Sequence, residues 1–358
     1  MLSKKVLIVD DSPSMGRFLQ MAINASIGFE TVGVARDPYH AREMIKTLKP
    51  DLLTLDVEMP KMDGITFLRN LMRLHPMPVV MVSSLTAEGT LLASQALSLG
   101  ALEIVGKRST RTDAEFDNYV SEIQSKLKSA SRAQIATANT VSRSRIPTQR
   151  QLDWCAGHAA KGSSSLGGLF VAVGSSTGGP QVLQTLFSTL NAQKTAAIVA
   201  QHIPQAFLQS LAETLDAQTP FRVRAAKHGD RIKCGTVLLA PGDCNAELVQ
   251  AGGRLYCHLN STTADQSITP SVDHLFQSVA RVLGSTGIGV LLTGMGNDGA
   301  YGMRALHQAG ALTIAQDQSS SAVWGMPRAA VQVGAVDAQL SAQAIPEALN
   351  QLVQKSSV

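Results

Sequence analysis

Short apolar runs alternate with amphipathic stretches twice along this 358-residue sequence, and this rhythm limits the folds open to it. The first series extends from KVLIVDD to ALEIVGK, and the second begins at GLFVAV. Strands that alternate with helices in this way predict parallel sheets with helices on both faces. We therefore predict an α/β chain that contains two such sheets.

A polar segment separates the two series. The chain is longer than one ordinary hydrophobic core supports, so two domains are expected. The last helix of the first series is predicted over roughly 114–129, and residues 130–165 are rich in Ser, Ala, Thr, Gln and Arg without hydrophobic periodicity. We predict a first domain over 1–129, a linker over 130–165 and a second domain over 166–358.

Composition and charge argue against several classes of protein. With 44% hydrophobic and 16% charged residues the chain is typical of a globular protein, and a net charge of +4 is too small to indicate nucleic-acid binding. The arginines of the linker segment are expected to be solvated. They are Arg132, Arg143, Arg145 and Arg150.

Cysteine usage and hydropathy indicate the compartment. None of the four cysteines forms a C-x-x-C pair, so neither a zinc site nor a redox motif is expected. They are Cys155, Cys234, Cys244 and Cys257. The sequence has no apolar run of 18 residues, and we expect no signal peptide. We expect reduced thiols in a cytoplasmic protein that does not insert into a membrane.

Acidic residues stand at two strand ends of the first series. Asp10 and Asp11 follow KVLIV, and Asp56 ends DLLTLD. The carboxyl ends of neighbouring parallel strands lie at one edge of a sheet, so these carboxylates are expected to meet. Three carboxylates in one cleft repel each other unless a divalent cation such as Mg²⁺ neutralises them. The alternative for each acid alone is a solvated loop residue.

Hydroxyl and ammonium groups follow at the next strand ends. Ser83 and Ser84 end PVVMVSS, and Lys107 follows ALEIVG. On the same rim as the carboxylates, a hydroxyl and an ammonium would complete a phosphate-binding cluster. The succession of polar residues at strand ends favours a functional site over isolated solvated loops.

The second series opens on the turn GSSTGGP, directly after the apolar run LFVAV. Gly174-x-Ser176-x-Gly178 matches the strand–turn–helix pattern that presents a nucleophilic serine. A glycine-rich turn that binds phosphate at a helix N-terminus fits the same residues, and both interpretations stay open on this motif. The turn GSSTGGP does not match the dinucleotide pattern G-x-G-x-x-G.

A serine nucleophile needs a base and an orienting carboxylate. His202 follows the strand AAIVAQ, and Asp298 lies in the glycine-rich LLTGMGNDGA, where it could instead cap the helix that follows. The α/β-hydrolase order of residues would require Asp243 with a histidine from a helical stretch, His274 or His307, and is less favoured. We therefore expect Ser176, His202 and Asp298 on a different doubly wound sheet.

The first series resembles the response-regulator receiver domain over its whole length. The motifs are VLIVDDSPSMGRFL, LDVEMPKMDGITFL, VVMVSSLT and GALEIVGK. The resemblance implies a flavodoxin-like, five-stranded parallel sheet and a phosphoryl group accepted by Asp56 from a chemotaxis-type histidine kinase. It also implies supporting roles: Asp11, Asp56 and the backbone carbonyl of Glu58 bind Mg²⁺, Asp10 supports the metal, and Ser83 and Lys107 contact the phosphoryl group.

Two positions depart from the receiver pattern. Arg108 follows Lys107 where the family usually has proline, and Ile104 stands where many receivers carry an aromatic switch residue. Phosphate chemistry should survive both changes. An aromatic rotamer switch cannot operate at Ile104.

The second series is similar to the catalytic domain of the chemotaxis protein-glutamate methylesterase (CheB) family. The motifs are VAVGSSTGGP, VAQHIP, VLLAPGD, TPSVDHLF, LLTGMGNDGAYGM, TIAQD and GMPRAA. The resemblance implies a doubly wound, mostly parallel esterase domain with a triad of Ser176, His202 and Asp298. It implies oxyanion donors at the N–H groups of Thr177 and Met295, and an esterase reaction without a cofactor.

The same resemblance implies a substrate, partners and a regulatory scheme. The reaction is hydrolysis of glutamyl methyl esters on chemoreceptors, with deamidation of glutamines as a second activity, and the chain is expected to be monomeric. IPQAFLQSLAETLD and DQSITPSVD depart from the family pattern and bear on receptor preference. The hypothesis for regulation is that the unphosphorylated receiver covers Ser176. A non-enzymatic response regulator and a small-ester hydrolase are the alternatives.

Overall fold

A computed structural model describes residues 3–134, 166–261 and 268–355 of the chain. It divides into two compact units, Met1–Ile135 and Ala136–Val358. Most of the predicted linker lies outside the described residues, so its boundaries stay a prediction. No described helix is long and apolar enough to cross a membrane.

The first unit contains a five-stranded parallel sheet in the order β2-β1-β3-β4-β5. Its elements are β1 (Lys4–Val9), α1 (Pro13–Asn24), β2 (Phe29–Ala35), α2 (Pro38–Leu48), β3 (Leu52–Asp56), α3 (Gly64–Leu74), β4 (Val79–Ser83), α4 (Ala87–Ser98), β5 (Glu103–Gly106) and α5 (Asp113–Ser131). The strand order reverses at β1, so the ends of β1 and β3 flank the crevice where such sheets place their sites. The predicted five-stranded parallel sheet is confirmed.

Side-chain caps fix where the helices of this unit begin. In each case a Ser, Thr or Asp side chain accepts an N–H of the first turn, which satisfies one of the backbone donors that a helix start leaves unpaired. The capping residues are Ser12, Asp37, Asp63, Thr86 and Thr112. Helix α5 begins at Asp113, one residue before the predicted 114, where Thr112 and Glu115 form a capping box, and it ends at Ser131, two residues beyond the predicted 129.

The second unit contains a seven-stranded parallel sheet in the order β15-β14-β13-β6-β7-β10-β8. Its elements are β6 (Leu169–Ser175), α6 (Gly179–Thr189), β7 (Thr195–Gln201), α7 (Gln205–Gln218), β8 (Arg222–Ala225), β9 (Asp230–Arg231), β10 (Thr236–Leu239), β11 (Cys244–Ala251), β12 (Arg254–Ser261), α8 (Val272–Leu283), β13 (Ile288–Leu291), α9 (Ala300–Gln308), β14 (Leu312–Gln316), α10 (Met326–Gln332), β15 (Ala338–Leu340) and α11 (Ala344–Lys355). The strand order reverses at β6, which the turn GSSTGGP follows.

A three-stranded antiparallel sheet, β11-β12-β9, adds to the parallel sheet and was not predicted from the sequence. Its inward side chains Leu248 and Cys257 join the buried cluster that contains Ile198 of β7 and Phe276 of α8. Burial raises the pKa of the Cys257 thiol to about 12. This thiol is therefore a packing group, and Cys234 and Cys244 are also free thiols.

Candidate active site and phosphoryl-acceptor site

Three carboxylates converge at the ends of β1 and β3 in the first unit. Asp10, Asp11 and Asp56 each place an oxygen within 4.8 Å of the others. The ammonium of Lys107, just after β5, lies 2.6 Å from Oδ2 of Asp56 and 3.1 Å from Oδ2 of Asp10. Three carboxylates and one ammonium leave an excess of negative charge, which suits a divalent cation with oxygen ligands.

The electrostatics of this cluster reflect its burial. Burial, together with the charge of Asp10, raises the pKa of Asp56 to about 6 despite the hydrogen bond from Lys107. Burial also raises the pKa of Asp10, against the effect of Lys107. Burial alone would lower the pKa of Lys107, but its bonds to Asp56 and Asp10 hold that pKa above its usual value. At neutral pH the cluster therefore holds negative charge that burial destabilises.

The hydroxyls at the end of β4 have partners of their own. The side chain of Ser83 is buried and donates to the carbonyl oxygen of Gly89 at 2.8 Å. The hydroxyl of Ser84 lies 3.3 Å from both carboxylate oxygens of Glu58, whose N–H donates to Oδ1 of Asp56 at 3.3 Å. A phosphoryl contact by Ser83 would therefore require its hydroxyl to turn away from Gly89.

The two departures from the receiver pattern have distinct surroundings. Ile104 is buried within β5. The guanidinium of Arg108 lies 4.6 Å from the ring centroid of Tyr119 and forms an ion pair with Glu122. Tyr119 stacks on Phe18 at 5.0 Å between ring centroids. The position that usually carries proline in the family thus carries a guanidinium that packs on Tyr119.

Ser176 and His202 follow the paired ends of two adjacent strands in the second unit. Ser175 and Gln201 are register partners in β6 and β7, and the N–H of His202 donates to the carbonyl oxygen of Ser175 at 3.0 Å. The N–H of Ser176 donates to the carbonyl oxygen of Thr293, just after β13, at 3.0 Å. The loops after β6, β7 and β13 therefore meet at Ser176.

His202 and Asp298 form a direct pair, with 2.9 Å between Nε2 and Oδ2. Asp298 also accepts the N–H groups of Val272 at 2.8 Å and Asp273 at 3.0 Å, which begin α8, and the hydroxyl of Ser271 at 3.2 Å. Burial alone would raise the pKa of Asp298, but the hydrogen bonds from His202 and Asp273 lower it below its usual value. An ionised Asp298 accepts only, so Nε2 carries a proton and Nδ1 is the basic nitrogen of His202.

The alternative role of Asp298 as the cap of the following helix is wrong. The residue that precedes α9 is Gly299, at φ +90° without a side-chain bond. Asp298 instead binds the start of α8, while Asp273 of α8 accepts the N–H of Gly302 in α9 at 2.6 Å. Asp298, which precedes α9, thus binds the start of α8, and Asp273 of α8 binds the first turn of α9.

The histidines of the alternative triad have other acidic neighbours. Nδ1 of His307 lies 3.0 Å from Asp337, and Nε2 of His274 lies 3.6 Å from Glu247. Neither of these acids was a candidate in the sequence. The geometry therefore favours His202 as the histidine that serves Ser176.

Sequence reasoning missed Gln201, which joins the two strand ends. Its side chain is 2% exposed, and its Oε1 accepts the hydroxyl of Ser175 at 2.5 Å. Its Nε2 donates to the carbonyl oxygens of Ser176 and His202, both at 3.0 Å. A polar residue at the end of the buried run TAAIVA was the available signal.

The loop after β13 approaches the serine closely. A Cβ on Gly294 would lie 2.7 Å from Cβ of Ser176 and 2.3 Å from the sulfur of Met326, so only glycine fits there. The hydroxyl of Thr293 lies 3.0 Å from the carbonyl oxygen of Thr177. Within the described part of the chain, the N–H of Met295 has no acceptor. Met295 follows Gly294, so this backbone donor lies one residue along the chain from the close approach of the loop to Ser176.

Two family models match this chain. The CheB methylesterase model matches residues 171–349, and the response regulator receiver domain model matches residues 6–115. These matches support the two resemblances recognised in the sequence motifs.

Known relatives extend the similarity to nearly the whole chain. The protein-glutamate methylesterase/protein-glutamine glutaminase 1 of Hahella chejuensis is 44% identical over 93% of this chain and 92% of its own. Enzyme 2 of that name from Vibrio vulnificus is 44% identical over 94% of each chain. The crystal structure of the Thermotoga maritima CheB methylesterase catalytic domain is 36% identical and covers 52% of this chain and 99% of that one, with a TM-score of 0.50.

Proposed function

Because this chain belongs to the CheB methylesterase family, we propose that it is a phosphorylation-activated protein-glutamate methylesterase of chemosensory signalling. It hydrolyses glutamyl methyl esters on chemoreceptors and deamidates receptor glutamines. The observation that carries this proposal is the 2.9 Å His202–Asp298 pair at the strand end next to Ser176. We expect a cytoplasmic monomer.

The ester reaction uses groups of this chain. Nδ1 of His202 takes the proton of Ser176 as Oγ attacks the ester carbonyl, and Asp298 stabilises the imidazolium that forms. The N–H groups of Thr177 and Met295 hold the oxyanion, each contributing about 3 kcal/mol. The C–O bond then breaks, and methanol leaves with the proton from His202.

The acyl-enzyme is hydrolysed by the reverse use of the same groups. Water gives a proton to His202, attacks the acyl carbon, and releases the glutamate carboxylate as Ser176 recovers its proton. In deamidation the leaving group is ammonia rather than methanol. The two activities therefore share Ser176 and His202.

We further propose that Asp56 controls the esterase. Its carboxylate attacks the phosphorus of a phosphohistidine on the kinase, the P–N bond breaks, and an acyl phosphate forms. Lys107, which lies 2.6 Å from Asp56, pairs with the phosphoryl oxygens, and Ser83 hydrogen-bonds them once its hydroxyl turns away from Gly89. Asp11, Asp56 and the carbonyl of Glu58 would hold Mg²⁺, with Asp10 in support.

Mg²⁺ fits because the cluster offers several carboxylate oxygens and an excess of negative charge; when bound, it neutralises that charge and accepts a phosphoryl oxygen. Ile104 is aliphatic, so activation in this chain cannot depend on rotation of an aromatic ring there.

The test is methanol release from methylated receptor membranes. Ser176→Ala should lose about 10⁶-fold in turnover, because a triad acts as a unit. Ser188→Ala, an exposed serine of α6, is the matched control and should behave as wild type. Unchanged release by Ser176→Ala would mean that GSSTGGP is only a turn.

A further inference from the structure

A groove of about 620 Å³ lies along the first unit between α2 and α3. We call it the α2–α3 groove, and its two walls are a cationic stripe of Arg42, Lys46 and Lys49 and an apolar stripe of Phe67, Leu71 and Leu74. None of these residues belongs to the carboxylate cluster at Asp56. The groove is therefore a feature that phosphoryl chemistry does not explain.

The cationic wall follows the period of a helix. Arg42, Lys46 and Lys49 are spaced by four and three residues, so they share one face of α2 and the turn that ends it. Among the described residues, neither Arg42 nor Lys49 forms an ion pair, and no acidic residue lines the groove. Lys46 pairs only with Glu43, and that pair is largely exposed and weak. This wall thus carries positive charge without a strong internal partner.

The apolar wall has the same spacing on α3. Phe67 and Leu71 are 7% and 6% exposed and form the floor, whereas Leu74 is 73% exposed. Tyr39, at the start of α2, also lines the groove and is 54% exposed. Exposed apolar side chains over a concave apolar floor are typical of an interaction site.

Parallel cationic and apolar stripes complement one kind of ligand. An amphipathic helix with acidic residues beside its apolar stripe would place carboxylates on α2 and apolar side chains on α3. We propose that the α2–α3 groove docks an acidic amphipathic helix of the chemoreceptor substrate. This inference rests on the proposed function, because an esterase that regenerates glutamates acts on a partner that carries carboxylates.

The proposal separates docking from chemistry. Only residues of the first unit line the groove. A substitution there should therefore alter receptor binding and leave the catalytic groups of the second unit intact. A docking site is therefore expected to affect the KM for receptor and not the kcat. Turnover of a small ester, which has no helix to dock, should be independent of the groove.

The experiment uses the full chain, activated with acetyl phosphate, and methylated receptor membranes as substrate. Leu74→Asp should raise the KM for receptor about tenfold, because the change places a charge in an apolar contact. Hydrolysis of p-nitrophenyl acetate and phosphorylation by acetyl phosphate should stay within about twofold of wild type, since neither involves the interface. The double variant Arg42→Glu/Lys49→Glu should also raise the KM for receptor. Added salt should raise the KM of wild type more than that of the double variant, because salt screens the cationic stripe.

Matched controls share the chemistry of the changes but lie off the groove. Ile27→Asp alters an apolar side chain that is 96% exposed, and Arg73→Glu reverses an exposed charge on α3. Both controls should keep the wild-type KM. If Leu74→Asp folds poorly, the double variant Arg42→Glu/Lys49→Glu still tests the groove.

Three results would overturn the proposal. An unchanged KM in the groove variants would show that the receptor does not dock there. Equal rises in the controls would show a non-specific charge effect. Slower phosphorylation by a histidine kinase, with unchanged acetyl phosphate reaction and unchanged receptor KM, would assign the groove to the kinase. A failure of the proposed function is distinct, since it appears as Ser176-independent methanol release.

Discussion

Asp298 is held by four donors, and this arrangement determines how His202 works. The aspartate fixes the tautomer of the imidazole and stabilises its charged form. Asp298→Asn should therefore reduce methanol release about 10⁴-fold with little change in KM. Asp337→Asn, beside His307, is the matched control and should retain turnover. Full activity of Asp298→Asn would exclude this acid from the triad.

The pH dependence of stability gives an independent check on Asp298. Its folded pKa is lowered, so the stability that its charge contributes is present above the unfolded pKa of about 3.9. That contribution is lost as the pH falls through the lower folded value. In denaturant unfolding, the stability difference between wild type and Asp298→Asn should stay constant from about pH 8 to 5 and shrink only below about 4.

Asp56 shows the opposite shift at the other site. Burial raises its folded pKa to about 6, so wild type loses stability as the pH rises from about 4 through 6. Asp56→Asn removes the buried charge and should stabilise the chain at pH 8 without Mg²⁺, by at most about 3 kcal/mol. Denaturant unfolding at pH 8 and 4 measures this. The gain should vanish near pH 4, and a less stable variant at pH 8 would refute the electrostatic account.

Gln201 couples the ends of β6 and β7. Its amide nitrogen donates to the carbonyl oxygens of Ser176 and His202. Gln201→Ala should cost about 1–3 kcal/mol in stability, because buried carbonyls lose their donor. Turnover should fall about 100-fold through misplacement of Ser176 and His202.

A matched variant separates positioning from folding. Ser175→Ala removes one hydrogen bond of Gln201 but leaves both bonds to the carbonyl oxygens, so it should cost stability and little turnover. Kcat and the free energy of unfolding are measured for both variants. If both lose turnover in proportion to stability, Gln201 only maintains the fold.

The polar residues at strand ends were predictable from the sequence. Contacts between a side chain and the start of a helix distant in sequence were not. Asp10, Asp56 and His202 follow buried apolar runs, and parallel strands bring such ends to one edge. The contact of Asp298 with the start of α8 joins residues that are distant in sequence, so no local pattern encodes it. The antiparallel β11 and β12 were missed although the sequence carried their signal. Leu255, Cys257 and Leu259 alternate with polar residues, and Gly252-Gly253 forms the two-residue turn between the paired Ala251 and Arg254.

The chain combines two α/β units whose sites differ in chemistry. One holds an acidic cluster suited to phosphoryl transfer, and the other a serine with a histidine–aspartate pair. Both sites lie where the strand order of the sheet reverses. The sequence motifs predicted this division, but the occlusion of Ser176 by the unphosphorylated receiver stays a prediction.

The proposed control of Ser176 by Asp56 can be tested in one comparison. Initial rates of methanol release from methylated receptor membranes should be measured with and without acetyl phosphate for wild type and Asp56→Asn. We expect the phosphodonor to accelerate wild type and to leave Asp56→Asn at its basal rate. Equal acceleration of both proteins, or of neither, would contradict control of Ser176 by Asp56.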